Sequence, residues 1–184
     1  DKLGIDFILS STQKAWGLPA GFSVCSVSDK IYQKSKTLSN KGYYFDLMTY
    51  DKSYEKDQTP TTPSISHLFG LQYILRKIND EGLENRWNRH IEMAHYTRDW
   101  AKNNGQSLFP ENGCESYTLT CIENNQNWDI NTLNEKLLDR GFRMDRGYGT
   151  LRCKAFRVAH MGNIYIDDLT EYLNLADELL KEIK

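Results

Sequence analysis

One lysine of this chain lies between two apolar segments, where its amine could take part in chemistry. Residues 7–24 read FILSSTQKAWGLPAGFSV, and Lys14 stands in the polar middle of that stretch. The flanking segments 5–9 and 22–27 are apolar and rich in branched or aromatic residues, which predicts short buried strands. A lysine at the edge of a buried sheet would be partly desolvated, which lowers its pKa and frees a nucleophilic amine. The alternative is a solvated lysine in an ordinary turn.

A Thr-Pro-rich stretch further along the chain has the features of a phosphate-binding helix start. Residues 58–65 read QTPTTPSI, and Thr62-Pro63 is typical of the cap and first residue of a helix. A helix N-terminus offers free N–H groups and a favourable dipole to an anion. The alternative is that Thr62 only caps the helix.

A single arginine stands within a predicted strand. Residues 154–161 read KAFRVAHM, and Arg157 is flanked by Phe156 and Val158. An arginine in such a strand is costly unless a planar anion pairs with it. That anion is either the carboxylate of a ligand or an aspartate of the protein.

These segments resemble class V aminotransferases, which have fold type I and use pyridoxal phosphate. The stretch IDFILSSTQKAWGLPAGFS resembles the cofactor-attachment motif of that family, with Lys14 directly after Gln13. The segments GYYFDL, QTPTTPSI, EGLENRWNRH and FRVAHMG resemble further markers of the family and follow in its order. The resemblance covers essentially all 184 residues and implies the C-terminal half of such an enzyme.

The resemblance implies roles for five residues. Lys14 would hold the cofactor in a Schiff base and, once released, move a proton at the substrate α-carbon. Gln13 would contact the cofactor phosphate, and Thr59 and Thr62 would reach the phosphate bound by the partner subunit of a homodimer. Arg157 would bind the substrate α-carboxylate, which suits its bidentate geometry. No metal ligand is predicted.

Several motifs indicate the branch of the family. GYYFDL, QTPTTP and FRVAHMG resemble serine/alanine–glyoxylate or –pyruvate aminotransferases, which move an amino group from a small amino acid to a 2-oxo acid. Phosphoserine aminotransferase, with 2-oxoglutarate as acceptor, is the alternative, but Thr150 and Leu151 stand where a His-Arg pair would bind the substrate phosphate. A cysteine desulfurase would use a loop cysteine such as Cys114, yet that branch usually has His where this chain has Gln13. The alternative from another class is a non-catalytic dimerisation or scaffold half.

The elements that position these residues are predicted from periodicity and capping. The expected fold class is α/β, with residues 1–80 forming the tail of a large PLP-binding domain and 81–184 a small C-terminal α+β domain. Residues 39–58 are predicted to be irregular. Helices are predicted to begin at Ser28 or Asp29, at Thr62, at Leu83 (ending at Asn103), at Asp129, and at Asp167 or Asp168; a further strand is predicted over Tyr117–Ile122.

The composition is that of a globular protein with no field favouring nucleic acid or membrane. The net charge is −2, 39% of residues are hydrophobic and 26% are charged. The four cysteines have no zinc-ligand spacing, which favours reduced thiols in a cytoplasmic protein. The expected partners are a small amino acid, a 2-oxo acid and a second copy of the chain, with neither nucleic acid nor membrane.

The start of the chain predicts a missing half. Asp1-Lys2-Leu3-Gly4 leads at once into a strand-like segment, with no preceding element for that strand to pair with. In the family, the N-terminal half supplies the aromatic side chain stacked on the cofactor ring and the aspartate that pairs with the ring nitrogen. We therefore expect the 184 residues alone to have negligible transaminase activity.

Overall fold

A computed structural model describes residues 3–183 and contains two compact units. The units are Asp1–Arg76 and Lys77–Lys184, and their division falls within the third helix. The assignment of 1–80 and 81–184 to two aminotransferase domains stays a prediction. The elements are β1 (Phe7–Ser11), β2 (Ser23–Val27), α1 (Asp29–Thr37), α2 (Leu47–Tyr54), α3 (Ile65–Glu81), α4 (Leu83–Asn103), β3 (Leu119–Glu123), α5 (Ile130–Asp139), a short 3-10 helix (Gly149–Leu151), β4 (Ala155–Ala159) and α6 (Ile166–Ile183).

The first unit begins with an antiparallel pair of strands. In the register of β1 and β2, Phe7 lies opposite Val27 and Ser11 opposite Ser23. The prediction that both strands are buried is wrong, because a two-stranded ribbon covers neither of its own faces. The side chains of Phe7 and Leu9 are accordingly exposed, at 51% and 60%. Strand β1 also begins at Phe7 rather than at the predicted Ile5.

Caps decide where the helices of the first unit begin. Ser28 accepts a hydrogen bond from the N–H of Ile31 and caps α1, which confirms the first of the two predicted caps. Helix α2 lies in the segment predicted to be irregular, where the carboxylate of Asp46 caps it. The segment is polar, and the cap residue Asp46 is its main sequence signal for a helix, so the sequence did not predict α2.

Helix α3 starts later than predicted. The N–H of Leu68 donates to the carbonyl oxygen of Ser64, so the helix begins at Ile65 and Thr62 is not its cap. The hydroxyl of Ser64 lies 2.7 Å from Nδ1 of His67, and this local hydrogen bond stabilises a helix start directly after Ser64.

The second unit packs three helices and an antiparallel strand pair around one apolar core. Strand β3 pairs with β4, and in their register Cys121 lies opposite Arg157. Helix α4 has the predicted bounds, and Asp129 caps α5 through the N–H groups of Asn131 and Thr132, as predicted. Large buried side chains of the core come from α4 (Met93), β3 (Ile122), α5 (Leu133, Leu137), β4 (Phe156) and α6 (Leu173).

The final helix has a cap other than the predicted one. Helix α6 begins at Ile166, and the N–H of Leu169 donates to the carbonyl oxygen of Tyr165. The carboxylate of Asp168 accepts from the N–H of Tyr165, so Asp168 acts from the first turn rather than as the cap itself. No helix within residues 3–183 combines the length and the apolar character needed to cross a bilayer.

Candidate active site

The turn after β1 carries Lys14 and is fixed at both ends. The N–H of the buried Thr12 donates to the carbonyl oxygen of Phe22, and the carbonyl oxygen of Thr12 accepts from the N–H of Leu18. The N–H of Gly17 donates to the carbonyl oxygen of Lys14. Gly17 has a φ of 65°, which a glycine adopts without strain. Lys14 itself is exposed, so the desolvation expected from buried flanking strands is absent from this structure.

The side chains of the turn differ in how firmly they are held. Within residues 3–183, the side-chain nitrogen of Lys14 has neither a hydrogen bond nor an ion pair, and its neighbour Gln13 is exposed as well. The indole N–H of Trp16 donates to the hydroxyl of Ser10 at 2.7 Å and orients the ring. The turn therefore presents one free primary amine beside a free amide.

His67 joins this turn to α3, a contact that the sequence reasoning missed. Its Nε2 lies 3.3 Å from the carbonyl oxygen of Pro19 and 3.2 Å from that of Ala20, while Nδ1 faces the hydroxyl of Ser64. A neutral ring that donates from Nε2 and accepts at Nδ1 satisfies all these contacts. The Ser-x-x-His pattern at the helix start is the sequence signal for half of this arrangement.

The loop between α2 and α3 carries Thr59 and Thr62. The hydroxyl of Thr59 donates to the carbonyl oxygen of Thr61 at 2.7 Å, and the hydroxyl of Tyr43 donates to that of Pro60 at 2.9 Å. Thr62 is exposed and precedes the helix. A cavity of about 560 Å³ opens beside Thr59, with walls that include Tyr32, Tyr50, Tyr54, Asp29 and Asp51.

Arg157 makes a two-point ion pair with Asp145 of the same unit. Its Nε donates to Oδ1 at 2.9 Å, and its Nη2 donates to Oδ2 at 2.6 Å. The two residues also pair through the backbone, where the N–H of Arg157 donates to the carbonyl oxygen of Asp145. The Arg157 guanidinium holds the pKa of the Asp145 carboxyl below its usual range, so the pair is charged on both sides. The aspartate partner left open by the sequence is thus Asp145.

The remaining histidines and Cys114 differ in how deeply they are buried. His160 is fully buried, with Nε2 2.8 Å from the hydroxyl of Thr120, and burial lowers its pKa to about 4. His90 is buried against the carbonyl oxygen of Arg86, whereas His95 is exposed. Cys114 is exposed in a turn. Over residues 3–183, no three or more His, Cys, Asp or Glu side chains are grouped to hold a metal ion.

The five candidate residues divide between the two units. Lys14 and Gln13 share one turn of the first unit, and Thr59 and Thr62 share a loop of that unit. Arg157 lies on β4 of the second unit. Along the chain, the lysine-bearing turn comes first, the Thr-Pro loop second and the strand arginine last.

The sequence model of the family "Aminotransferase class-V" matches residues 1–173 of the chain. The chain belongs to this family. It is 32% identical over 186 residues to an uncharacterized aminotransferase of Methanocaldococcus jannaschii, covering 100% of this chain and 48% of that protein. It is 30% identical over 189 residues to the serine–glyoxylate aminotransferase of Arabidopsis thaliana, covering 100% of this chain and 46% of the relative.

A solved structure agrees with this membership. The alanine–glyoxylate aminotransferase of Nostoc sp. superposes with a TM-score of 0.88 at 26% identity, covering 98% of this chain and 49% of that one. The α/β fold of this class V aminotransferase chain is therefore that of the aminotransferases, as the sequence predicted. The chain spans about half the length of the curated relatives it matches.

Class V aminotransferases use pyridoxal phosphate, and the residues of the Lys14 turn fit that cofactor. An unpaired primary amine is the group that an aldehyde requires, and Lys14 provides one. The amide of Gln13 and the hydroxyl of Thr62 are exposed and able to donate to phosphate oxygens. The hydroxyl of Thr59 would first have to turn away from the carbonyl oxygen of Thr61.

Proposed function

We propose that the chain is the C-terminal half of a transaminase that transfers the amino group of a small amino acid, of the serine or alanine type, to a 2-oxo acid such as glyoxylate or pyruvate. The observation that carries the proposal is the unpaired amine of Lys14, which stands on a firmly held turn. The resemblance of the surrounding motif supports its assignment as the cofactor lysine. Because the chain spans about half of its relatives, the activity is proposed for the complete enzyme.

Lys14 is the proposed catalytic base. When bound, pyridoxal phosphate supplies an electron-withdrawing ring that stabilises negative charge at the substrate α-carbon. Nζ of Lys14, as a neutral amine, accepts the proton of that carbon and holds it as an ammonium until it is given back. The free position of the side chain supports this role, because no ion pair with residues 3–183 has to be broken first.

Arg157 is the proposed site for the substrate carboxylate. A guanidinium has two edges that can each bind a carboxylate, and Asp145 occupies the edge formed by Nε and Nη2. The edge formed by Nη1 and Nη2 remains for a ligand. Arg157 is about one-third exposed, so a small anion can reach that edge from solvent.

Thr59 and Thr62 are proposed to contact the cofactor phosphate of the partner subunit in a homodimer. Their loop is held by the hydrogen bond of Tyr43 to Pro60, which would keep both hydroxyls on one exposed segment. Gln13 is proposed to contact the phosphate within its own subunit. These three assignments rest on the resemblance of the residues' positions to the family motif.

Borohydride trapping tests the proposal. The complete enzyme is incubated with excess pyridoxal phosphate, reduced, digested and mapped by mass spectrometry. We expect a phosphopyridoxyl adduct on Lys14 and none on Lys34, an exposed lysine of α1 that serves as the control. An unmodified Lys14 in folded protein with excess cofactor would favour the non-catalytic scaffold instead.

A further inference from the structure

Asp145 lies where it can influence which acids reach Arg157. The residue is in the segment between α5 and β4, and its Oδ1 also accepts from the N–H of Gly147 at 3.0 Å. The carboxylate is thus held by backbone on one side and by the guanidinium on the other. Its position is fixed relative to Arg157 more tightly than that of a surface aspartate with a single contact.

The Arg157 side chain lies on the face of the strand pair that points away from the core. Phe156 and Val158, its neighbours in β4, are buried on the opposite face. Cys121 lies directly across on β3 and therefore shares the face of Arg157. Burial raises the pKa of the Cys121 thiol, so it is neutral and adds no charge to this surface.

We propose that Asp145 is a specificity-determining residue that favours substrates with one carboxylate over substrates with two. It leaves a single edge of Arg157 for a ligand, and its fixed negative charge opposes a second anionic group of the same ligand. The inference rests on the proposed function, because it assumes that Arg157 binds the substrate carboxylate. It narrows the substrates to small monocarboxylic amino and 2-oxo acids.

The other charges near this pair do not cancel the effect. Arg143 also lowers the pKa of Asp145, but its side chain is exposed and solvent screens it. Arg146 donates to the side chain of Asn131. The negative charge of Asp145 therefore acts on a ligand at Arg157 at short range.

The size of the effect follows from Coulomb's law. In a four-carbon dicarboxylate the second carboxylate lies about 5–6 Å from the first. For a second carboxylate at a similar distance from Asp145, and at an effective dielectric of about 50, which approaches that of water, one additional unit charge changes affinity by about five- to tenfold. Without Asp145, the second carboxylate would instead be attracted by the uncompensated guanidinium.

Competitive inhibition by inert acids tests the inference in the holoenzyme. The inhibition constants of succinate and propionate against glyoxylate are measured for the wild type, Asp145→Asn and Asp145→Glu. We expect Asp145→Asn to lower the succinate-to-propionate ratio about five- to tenfold, because the opposing charge is gone. Asp145→Glu keeps the charge and is expected to keep the ratio, which a merely structural role would not predict.

Two further variants keep the result interpretable. Asp139→Asn removes an exposed charge at the end of α5 and is expected to leave the ratio unchanged. Asp145→Ser replaces Asp145→Asn if the latter does not fold, since a hydroxyl can still accept from Gly147. A ratio that stays at the wild-type value in the folded charge-removing variant would overturn the inference.

Arg157→Gln separates this inference from the proposed function. If Arg157 binds the carboxylate, this variant weakens both acids. Weakening of both acids together with an unchanged ratio in Asp145→Asn contradicts only the role of Asp145. Unchanged binding of both acids in Arg157→Gln contradicts the carboxylate site itself, and the inference about Asp145 falls with it.

Discussion

The imidazole ring of His67 stacks on the phenyl ring of Phe22, with centroids 5.7 Å apart and planes inclined by 20°. His67 belongs to the first turn of α3, and Phe22 directly precedes β2. The contact therefore fastens the loop that carries Lys14 to a helix far along the chain. Leu18 of the same loop also packs on α3, over Gly70. Its Cδ2 would lie 3.0 Å from a Cβ at that position, so only glycine leaves room for it.

His67→Ala is expected to loosen the Lys14 loop. The variant loses the ring stacking and the hydrogen bonds to Pro19 and Ala20, which together contribute on the order of 1–2 kcal/mol. Hydrogen exchange should become faster at the amides of Thr12 and Leu18, whose bonds close the loop. His95→Ala, at an exposed histidine, is the control. Unchanged exchange at both amides would mean that His67 does not hold the loop.

Gly147→Ala is expected to be far more destabilising than Gly149→Ala. A Cβ at Gly147 would lie 2.4 Å from the carbonyl oxygen of Ala155 and 2.5 Å from that of Leu151, whereas a Cβ at Gly149 meets nothing within 4 Å. Both glycines have positive φ, so each alanine variant loses about 1 kcal/mol through backbone strain. Only Gly147→Ala also brings a Cβ into the backbone. Urea unfolding of the two variants measures the difference, and equal losses would contradict the packing argument.

The buried His160 is expected to make the free energy of unfolding depend on pH. Its pKa falls from 6.5 to about 4 on folding, so the unfolded chain takes up the proton first as the pH decreases. The contribution of His160 is therefore intact above pH 6.5, decreases as the pH falls, and is constant below about 4. Between pH 7 and 5 the loss amounts to about 2 kcal/mol.

His160→Gln is the matched variant for this pH dependence. Glutamine can still bond to the hydroxyl of Thr120 but does not titrate. Urea titrations at pH 7 and pH 5 give the loss of unfolding free energy for each protein. The contributions of the carboxylates and of His90 cancel when the loss in His160→Gln is subtracted from that in the wild type. An equal decrease in both proteins would show that His160 is not responsible.

Arg157→Lys is expected to raise the KM for the 2-oxo acid while kcat changes less. Lysine keeps the charge but loses the planar fork that binds a carboxylate at two points. The loss of one charge-assisted hydrogen bond corresponds to an increase in KM of about tenfold. Steady-state kinetics of the holoenzyme measure it, with Arg140→Lys at an exposed arginine as the control. A KM equal to that of the wild type would argue against carboxylate binding at Arg157.

The 184 residues alone are expected to show negligible transaminase activity. The family resemblance implies that the aspartate pairing with the cofactor ring nitrogen lies outside these residues, and the ring is a weak electron sink without such a partner. Alanine–glyoxylate transamination by the purified chain, loaded with excess cofactor, measures this. Robust turnover would show that these residues suffice.

Local sequence patterns determined much of the architecture. Ser28 and Asp129 cap their helices as predicted, and α4 runs from Leu83 to Asn103. Such features depend on residues a few positions apart, which a sequence displays directly. The motif around Lys14 likewise indicated the family, because its residues are contiguous.

Only the tertiary structure decided which partners these residues have. Asp145 is 12 positions from Arg157, and His67 is 48 positions from Pro19. The exposure of β1 and β2 was equally invisible, since apolar composition does not say whether another layer covers a strand. Spacing along a chain records local geometry, whereas a side chain's partner depends on how distant segments pack. The sequence therefore singled out Lys14 and Arg157 as candidates, and the fold showed that Arg157 pairs with Asp145.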